Sequence, residues 1–312
     1  MPSSSLKGAA SSTWAWWPEP ASIVNFVLLP DQRAVAFAMT LCLSRLTDVD
    51  ERARDRRSAP GGAAGIRATF GPAAANYSRS FFHADPARLD EVVELARPEK
   101  DELALDVATG TGNTALALVP HVAHVIGLDL TPAMLAECRR NAQRFGAANV
   151  SWAQGDACQL PFASGVIDLY TVRAAPHHFS DLGAALSEAA RVLKRGGRAC
   201  FIDCSPPEAA REHLHQIEIG RDPSHVLSRT LAEWTQLLGQ AGLQVESARR
   251  RELDWDFEGW MANLAIEPDR VVALASKLEA AKGQAALELR PQRRDGRLRH
   301  AYWHALIRTV KP

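Results

Sequence analysis

Short apolar runs and amphipathic stretches alternate along most of this chain. Segments at 102–108, 123–129, 150–155, 166–173 and 197–204 are rich in aliphatic and aromatic residues, the pattern of strands buried on both faces. Between them, 113–119, 132–145 and 180–194 carry apolar residues at helical spacing. Ahead of the first strand, Asp85-Pro86 opens a helical stretch to Arg97, a capping residue followed by proline. Further on, 230–242 predicts a helix stopped by Gly242, and 243–251 and 302–310 predict the last two strands. Such alternation predicts an α/β fold, a doubly wound and mainly parallel seven-stranded sheet with helices on both faces. Ligands in such sheets bind at the carboxyl ends of the strands.

Residues 1–65 stand outside this pattern. Their apolar stretch, Ile23 to Leu43, is interrupted by Pro30-Asp-Gln-Arg33. A charged run from Asp48 to Arg57 follows, and then Ser58-Ala-Pro-Gly-Gly-Ala-Ala-Gly65, a linker composition. This segment reads as a disordered extension ahead of one domain at 66–312, with an oligomerisation or docking arm as the alternative. No apolar run reaches the roughly 18 residues of a membrane span. Trp14-Ala-Trp16-Trp17-Pro-Glu-Pro20 is a poor match to the clean apolar core of a signal peptide, so a cytoplasmic protein is expected.

Composition removes several classes of function. Acidic and basic residues number 36 each, so no global field recruits nucleic acid or an anionic membrane. The one dense basic run, Arg290, Arg293, Arg294, Arg297 and Arg299, lacks interleaved aromatics and a recognition helix; it reads as a solvated loop. The five cysteines include no C-x-x-C pair, so no metal site or disulfide framework is expected.

The chemistry concentrates at the strand ends. Leu103 to Asn113 reads as a strand carrying Asp106, a turn Thr109-Gly110-Thr-Gly112, and a helix start. Glycine lets a ligand lie against bare backbone, and the helix start supplies free N–H groups. The next strand ends in Asp129, about 20 residues on, where a carboxylate can bind a ribose. These two features alone leave two cofactor classes open, NAD-type and S-adenosylmethionine (SAM). Asp106 inside the first strand suits a ligand with a positive end and would repel a pyrophosphate. Asp156, after the third strand, can accept the exocyclic amine of adenine.

Five motifs then occur in order: Asp106-x-x-x-Gly110-x-Gly112, Asp129-Leu130-Thr-Pro-x-Met134-Leu, Gly155-Asp156-Ala157-x-x-Leu160-Pro161-Phe162, His177-His178-Phe179 and Arg191-Val-Leu-Lys-x-Gly196-Gly197. Together they resemble a class I SAM-dependent methyltransferase, in particular the ubiquinone/menaquinone C-methyltransferase-like small-molecule group. The resemblance runs from about Phe70 to the C-terminus. It implies a Rossmann-like methyltransferase fold with an antiparallel last strand, SAM as cofactor and a small organic acceptor such as a quinone precursor or secondary metabolite. It places Asp106, Thr109, Gly110, Gly112, Asp129, Leu130, Met134, Asp156, Ala157 and Arg173 around the cofactor. By the same analogy Tyr77, Phe81 and Phe82 form a lid.

Where the nucleophile is a hydroxyl or an acidic carbon, a general base helps, and histidine suits that task near neutral pH. The expected catalytic group is His178, with His225 and Asp222 from Arg221-Asp222-Pro223-Ser224-His225, another motif resembling the same group; a helix N-terminal cap is the alternative role for that cluster. Trp255, Phe257 and Trp260 are expected either to line a substrate pocket or to fill the core, within an insertion at 252–300. An NAD-type oxidoreductase and a non-catalytic SAM-binding module acting through partners remain the competing readings.

Overall fold

The computed structural model describes residues 62–78, 83–264 and 266–312. The expected N-terminal extension lies outside them, apart from its last residues, and so do Phe81 and Phe82. In chain order the elements are α1 (Ala63–Ser78), α2 (Pro86–Ala96), β1 (Leu103–Val107), α3 (Asn113–Leu118), β2 (His124–Asp129), α4 (Pro132–Phe145), β3 (Val150–Gln154), β4 (Ile167–Arg173), α5 (Leu182–Val192) and β5 (Leu193–Cys204). Then come α6 (Glu208–Arg221), α7 (Leu231–Gln240), β6 (Gln244–Asp256), α8 (Phe257–Ala262), α9 (Pro268–Glu279), α10 (Gly283–Leu289), β7 (Gln292–Arg294) and β8 (Arg297–Val310). Helix α1 begins at Ala63, inside the stretch whose composition suggested a linker.

Among the described residues the sheet has eight strands, ordered β3-β2-β1-β4-β5-β8-β6 with β7 on β8. Strands β1 to β5 pair in parallel. Strand β8 runs antiparallel between β5 and β6. The extra strand over the expected seven is β7, which joins β8 through Asp295-Gly296, both at positive φ. That dipeptide favours the two-residue hairpin turn. The basic run is therefore a hairpin rather than a loop. Its arginines meet the acids of β6 and neighbouring helices: Arg290 with Glu252, Arg293 with Glu279, Arg297 with Asp256 and Arg299 with Asp254. Strands β6 and β8 also run on to Asp256 and back to Arg297, so the inserted segment is shorter than 252–300 and comprises α8 to α10 and β7.

Alternation along the strands builds two core layers. Leu105, Val107, Ile126, Leu128, Phe201 and Ile307 point to the face covered by α5 and α7, where Trp234 is fully buried. Ala104, Val125, Cys200, Ile202 and Leu306 point to the face covered by α2 and α3. A third cluster lies beyond the strand ends, where α6, α8, α9 and α10 pack on Leu253, Leu298 and Trp303. Sheet order reverses direction between β1 and β4, which opens a crevice at their carboxyl ends. There the chain turns sharply after both strands, with Ala108 at φ 51° and Ala174 at φ 52°.

Candidate active site

The crevice holds an outer cavity lined by Asp106, Thr109, Gly110, Asp129, Leu130, Met134, Asp156, Ala157, Arg173 and His178. Nine of the ten expected cofactor residues are thus brought to one cavity. The exception is Gly112. Its φ is +86°, and a Cβ there would lie 2.9 Å from the ring of Trp152 and 3.3 Å from Sγ of Cys138. Gly112 is needed for the turn and for packing beneath it. Gly110, at φ +57°, has open space where its Cβ would stand, which is the geometry of ligand approach.

The strand-end acids hold the loops. Asp106 is buried, and its two oxygens accept from Thr109 Oγ1 at 2.5 Å and Thr171 Oγ1 at 2.7 Å. Burial pushes its carboxyl up to about 6, against those hydrogen bonds. Asp129 accepts from Thr131 N and Gly110 N, both at 2.8 Å, and burial likewise pushes it up to about 6. Asp129 therefore ties the glycine turn to the start of α4, and Thr131 makes no side-chain cap of its own. Asp156 sits exposed at the rim, with Oδ1 accepting from Cys158 N at 2.8 Å. Arg173 spans to the opposite wall: Nε donates to Thr114 Oγ1 at 2.9 Å and Nη2 to the carbonyl of His83 at 2.7 Å. Its Nη1 is buried without a hydrogen-bond partner. Helix α1 closes the cavity with Ile66, Phe70 and Tyr77, and Arg67 Nε anchors it to the Leu130 carbonyl at 3.2 Å.

A second, inner cavity shares Phe70, Tyr77, His83, Ala174 and His178 with the first. Beyond that common wall it is lined by His177, Cys204, Glu218, Arg221, Trp255, Trp260, Tyr302 and His304. Trp255 stacks on Tyr302, with centroids 4.7 Å apart, and the Tyr302 hydroxyl donates to Glu218 at 2.6 Å. Of the three expected aromatics, Trp255 and Trp260 reach this cavity and Phe257 is core.

Of the expected catalytic residues only His178 lines a cavity, and its Nε2 lies 3.9 Å from Asp222 Oδ2. His178 lies on the shared wall. Asp222 and His225 line neither cavity; they stand behind it, in the turn that ends α6, so the cluster follows a helix rather than capping the start of one. Asp222 Oδ1 accepts from Ser224 N and Oγ at 2.8 and 2.6 Å. His225 is buried with neither ring nitrogen hydrogen-bonded, and burial, then the neighbouring histidines and Arg221, drives its pKa far down. Asp203 is the acid that the motif reading missed. It closes on His177 with Nδ1 to Oδ1 at 2.5 Å. The available signal was an acid near the end of a strand, as at Asp106 and Asp129.

A family profile described as "Methyltransferase domain" matches residues 105–201. The uncharacterized methyltransferase YcgJ of Bacillus subtilis is 34% identical over 196 residues, 62% of this chain and 78% of that relative. Its crystal structure superposes with a TM-score of 0.69 over 72% of this chain and 98% of that one. This chain belongs to the class I SAM-dependent methyltransferases. A demethylmenaquinone methyltransferase of Thermus thermophilus is 39% identical over 128 residues, 40% of this chain and 58% of that relative. The NAD-type reading falls with the family.

The residues of the methyltransferase fit its cofactor. Gly110 leaves open space beside the turn, and of the other residues lining the cavity Asp129 would accept from the ribose and Asp156 from the adenine amine, with Met134 against the adenine face. The buried, unpartnered Nη1 of Arg173 would suit the carboxylate of the cofactor's amino acid end. Asp106 would act on that same end indirectly, through its hydrogen bond to Thr109 in the loop. SAM supplies a methyl group already activated on a sulfonium sulfur, so the protein's main task is alignment.

Proposed function

We propose that this chain methylates an oxygen or carbon nucleophile, or a nitrogen, of a small organic acceptor held in the inner cavity. The observation that carries this reading is the common wall. Phe70, Tyr77, His83, Ala174 and His178 border both cavities, so the two adjoin along these residues. The stacked Trp255 and Tyr302, with Trp260 beside them, favour a flat acceptor such as a quinone precursor or an aromatic secondary metabolite. Among the described residues no helix is long and apolar enough to cross a membrane.

The test is calorimetric titration with SAM and S-adenosylhomocysteine, using NAD as control, followed by transfer of labelled methyl to a panel of phenols, enols and amines. Saturable binding with transfer to any of them is the expected result. Tight binding with transfer to none overturns the catalytic reading in favour of a module that acts through partners.

A further inference from the structure

The inner cavity contains a histidine already oriented by an acid. Asp203 lies one residue from the end of β5, with its side chain 2% exposed, while that of His177 is 13% exposed. Their 2.5 Å contact commits Nδ1 of the ring to the carboxylate. Nε2 has no protein partner among the described residues, and the ring lines the cavity. The main chain is pinned as well: the His177 carbonyl accepts from Val226 N at 2.9 Å and Leu227 N at 3.2 Å. A base held in place by a third group is the arrangement that activates hydroxyl nucleophiles.

His178 is the poorer base. Its Nδ1 lies 3.2 Å from Ser224 Oγ, whose hydroxyl already donates to Asp222, and burial together with His177 pushes the ring down to about 3. Arg221 supplies the complementary charge. Its guanidinium lies 4.8 Å from the Trp260 ring centroid, Nε donates to the Trp260 carbonyl, and no carboxylate stands within ion-pair distance of it among the described residues.

Resting on the methyl-transfer reading, we propose that His177, positioned by Asp203, is the general base for an acceptor bearing an ionisable hydroxyl, a phenol or an enol, and that Arg221 steadies its oxyanion. The O–H bond breaks and the proton passes to Nε2. The electron pair left on oxygen, or on a conjugated carbon, forms the bond to the methyl carbon as the S–CH3 bond breaks and its pair stays on sulfur. S-adenosylhomocysteine and the methylated acceptor result, and the imidazolium returns its proton to solvent. An amine already carries its lone pair and needs no such base.

The surroundings set the direction of the pH response. Burial lowers the affinity of His177 for a proton, but Asp203 on β5, Glu218 on α6 and Asp222 after it outweigh that, and the net shift is upward. Opposing them are His178 beside it, Arg221 on α6, His225 after α6, His304 on β8 and His83 ahead of α2.

The test uses the full chain, with S-adenosylhomocysteine calorimetry as the control for folding, and phenols of graded acidity as acceptors. His177→Gln should lower kcat by about 10²–10⁴-fold. That defect should shrink as the phenol becomes more acidic, because an ionised acceptor needs no base. Asp203→Asn should move the rising limb of kcat/KM to lower pH. It should also lower the titration midpoint of the His177 ring, read by NMR of ring-labelled histidine without any acceptor. An unmoved midpoint, an equal defect across all phenols, or a SAM-binding wild type that methylates amines alone or none of the panel overturns the proposal. If the wild type transfers methyl only to amines, the proposed function stands while the assignment of His177 fails; a wild type that binds no S-adenosylhomocysteine overturns both.

Discussion

The two cavities differ in how their walls are assembled. The outer one is drawn largely from a single stretch, Asp106 to Ala157, in which each strand end and the loop after it supply several lining residues. The inner one is gathered from α1, the ends of β4 and β5, α6, β6, α8 and β8, segments spread from Phe70 to His304. Backbone geometry makes the first site, and it can be rebuilt from short motifs on any sheet of this topology. Side chains brought together by distant packing make the second, so on the proposed reading it is the half that could change acceptor without disturbing the cofactor.

If that division holds, damage to the outer wall should lower cofactor affinity and leave the inner cavity unchanged. Asp129→Ala removes the tie between Gly110 and α4 along with the proposed ribose acceptor. Affinity for S-adenosylhomocysteine should fall at least about 100-fold, near 3 kcal/mol. The His177 titration should stay where it is. A loss below about threefold by calorimetry would show that Asp129 does not hold the ribose.

Asp106→Asn should stabilise the chain at neutral pH. The wild-type carboxyl is raised from 3.8 to about 6, so between those pH values the folded chain keeps a proton that the unfolded chain has released. Its contribution to stability therefore falls as pH rises through that window, and the full cost is present at pH 7. Such a shift corresponds to about 3 kcal/mol. An asparagine still bonded to Thr109 and Thr171 should recover about 2 kcal/mol of it at pH 7 and almost nothing at pH 3, seen as a urea midpoint difference that closes on acidification. S-adenosylhomocysteine should bind less tightly to the same variant, since the loop loses its charged anchor.

The same division explains what could be read along the chain. Asp106, Gly110, Asp129 and Asp156 were legible because each marks a strand end, and strand ends in a doubly wound sheet converge. Gly112 looked like Gly110, but its neighbour is Trp152 on β3, a contact that sequence spacing does not carry. His225 and Asp222 share a motif with Arg221, yet one residue faces the cavity and the other two lie behind it, because the chain turns at the end of α6. Asp203 carried the strand-end signal, but its partner is 26 positions away on a turn whose direction only the fold sets.

On the acceptor side the expected effects are smaller and should spare the cofactor. Trp260→Phe keeps an aromatic ring beneath Arg221 but weakens its hold on the guanidinium by about 1 kcal/mol. The acceptor KM should rise severalfold while affinity for S-adenosylhomocysteine stays within about twofold. An equal loss of both affinities would mean that the cavities respond as one unit.

The smallest effect belongs to the residue on the border. Ala174 holds φ at 52° in the turn after β4 and lines both cavities. An alanine in that region costs about 1–2 kcal/mol relative to right-handed backbone. Glycine would remove that strain and add roughly 0.5–1 kcal/mol of unfolded-chain entropy, so Ala174→Gly should stabilise the chain by about 0.5–1 kcal/mol. Strain persists where the surroundings over-determine it, and here the Ala174 N–H is held to the Ile202 carbonyl at 2.8 Å. If glycine stabilises the fold and also slows methyl transfer without changing either binding constant, the strained turn is what fixes the approach of acceptor to methyl group. If turnover is unchanged, the border is set by the rings of Phe70, Tyr77 and His178 instead, and Ala174 is only a tight fit.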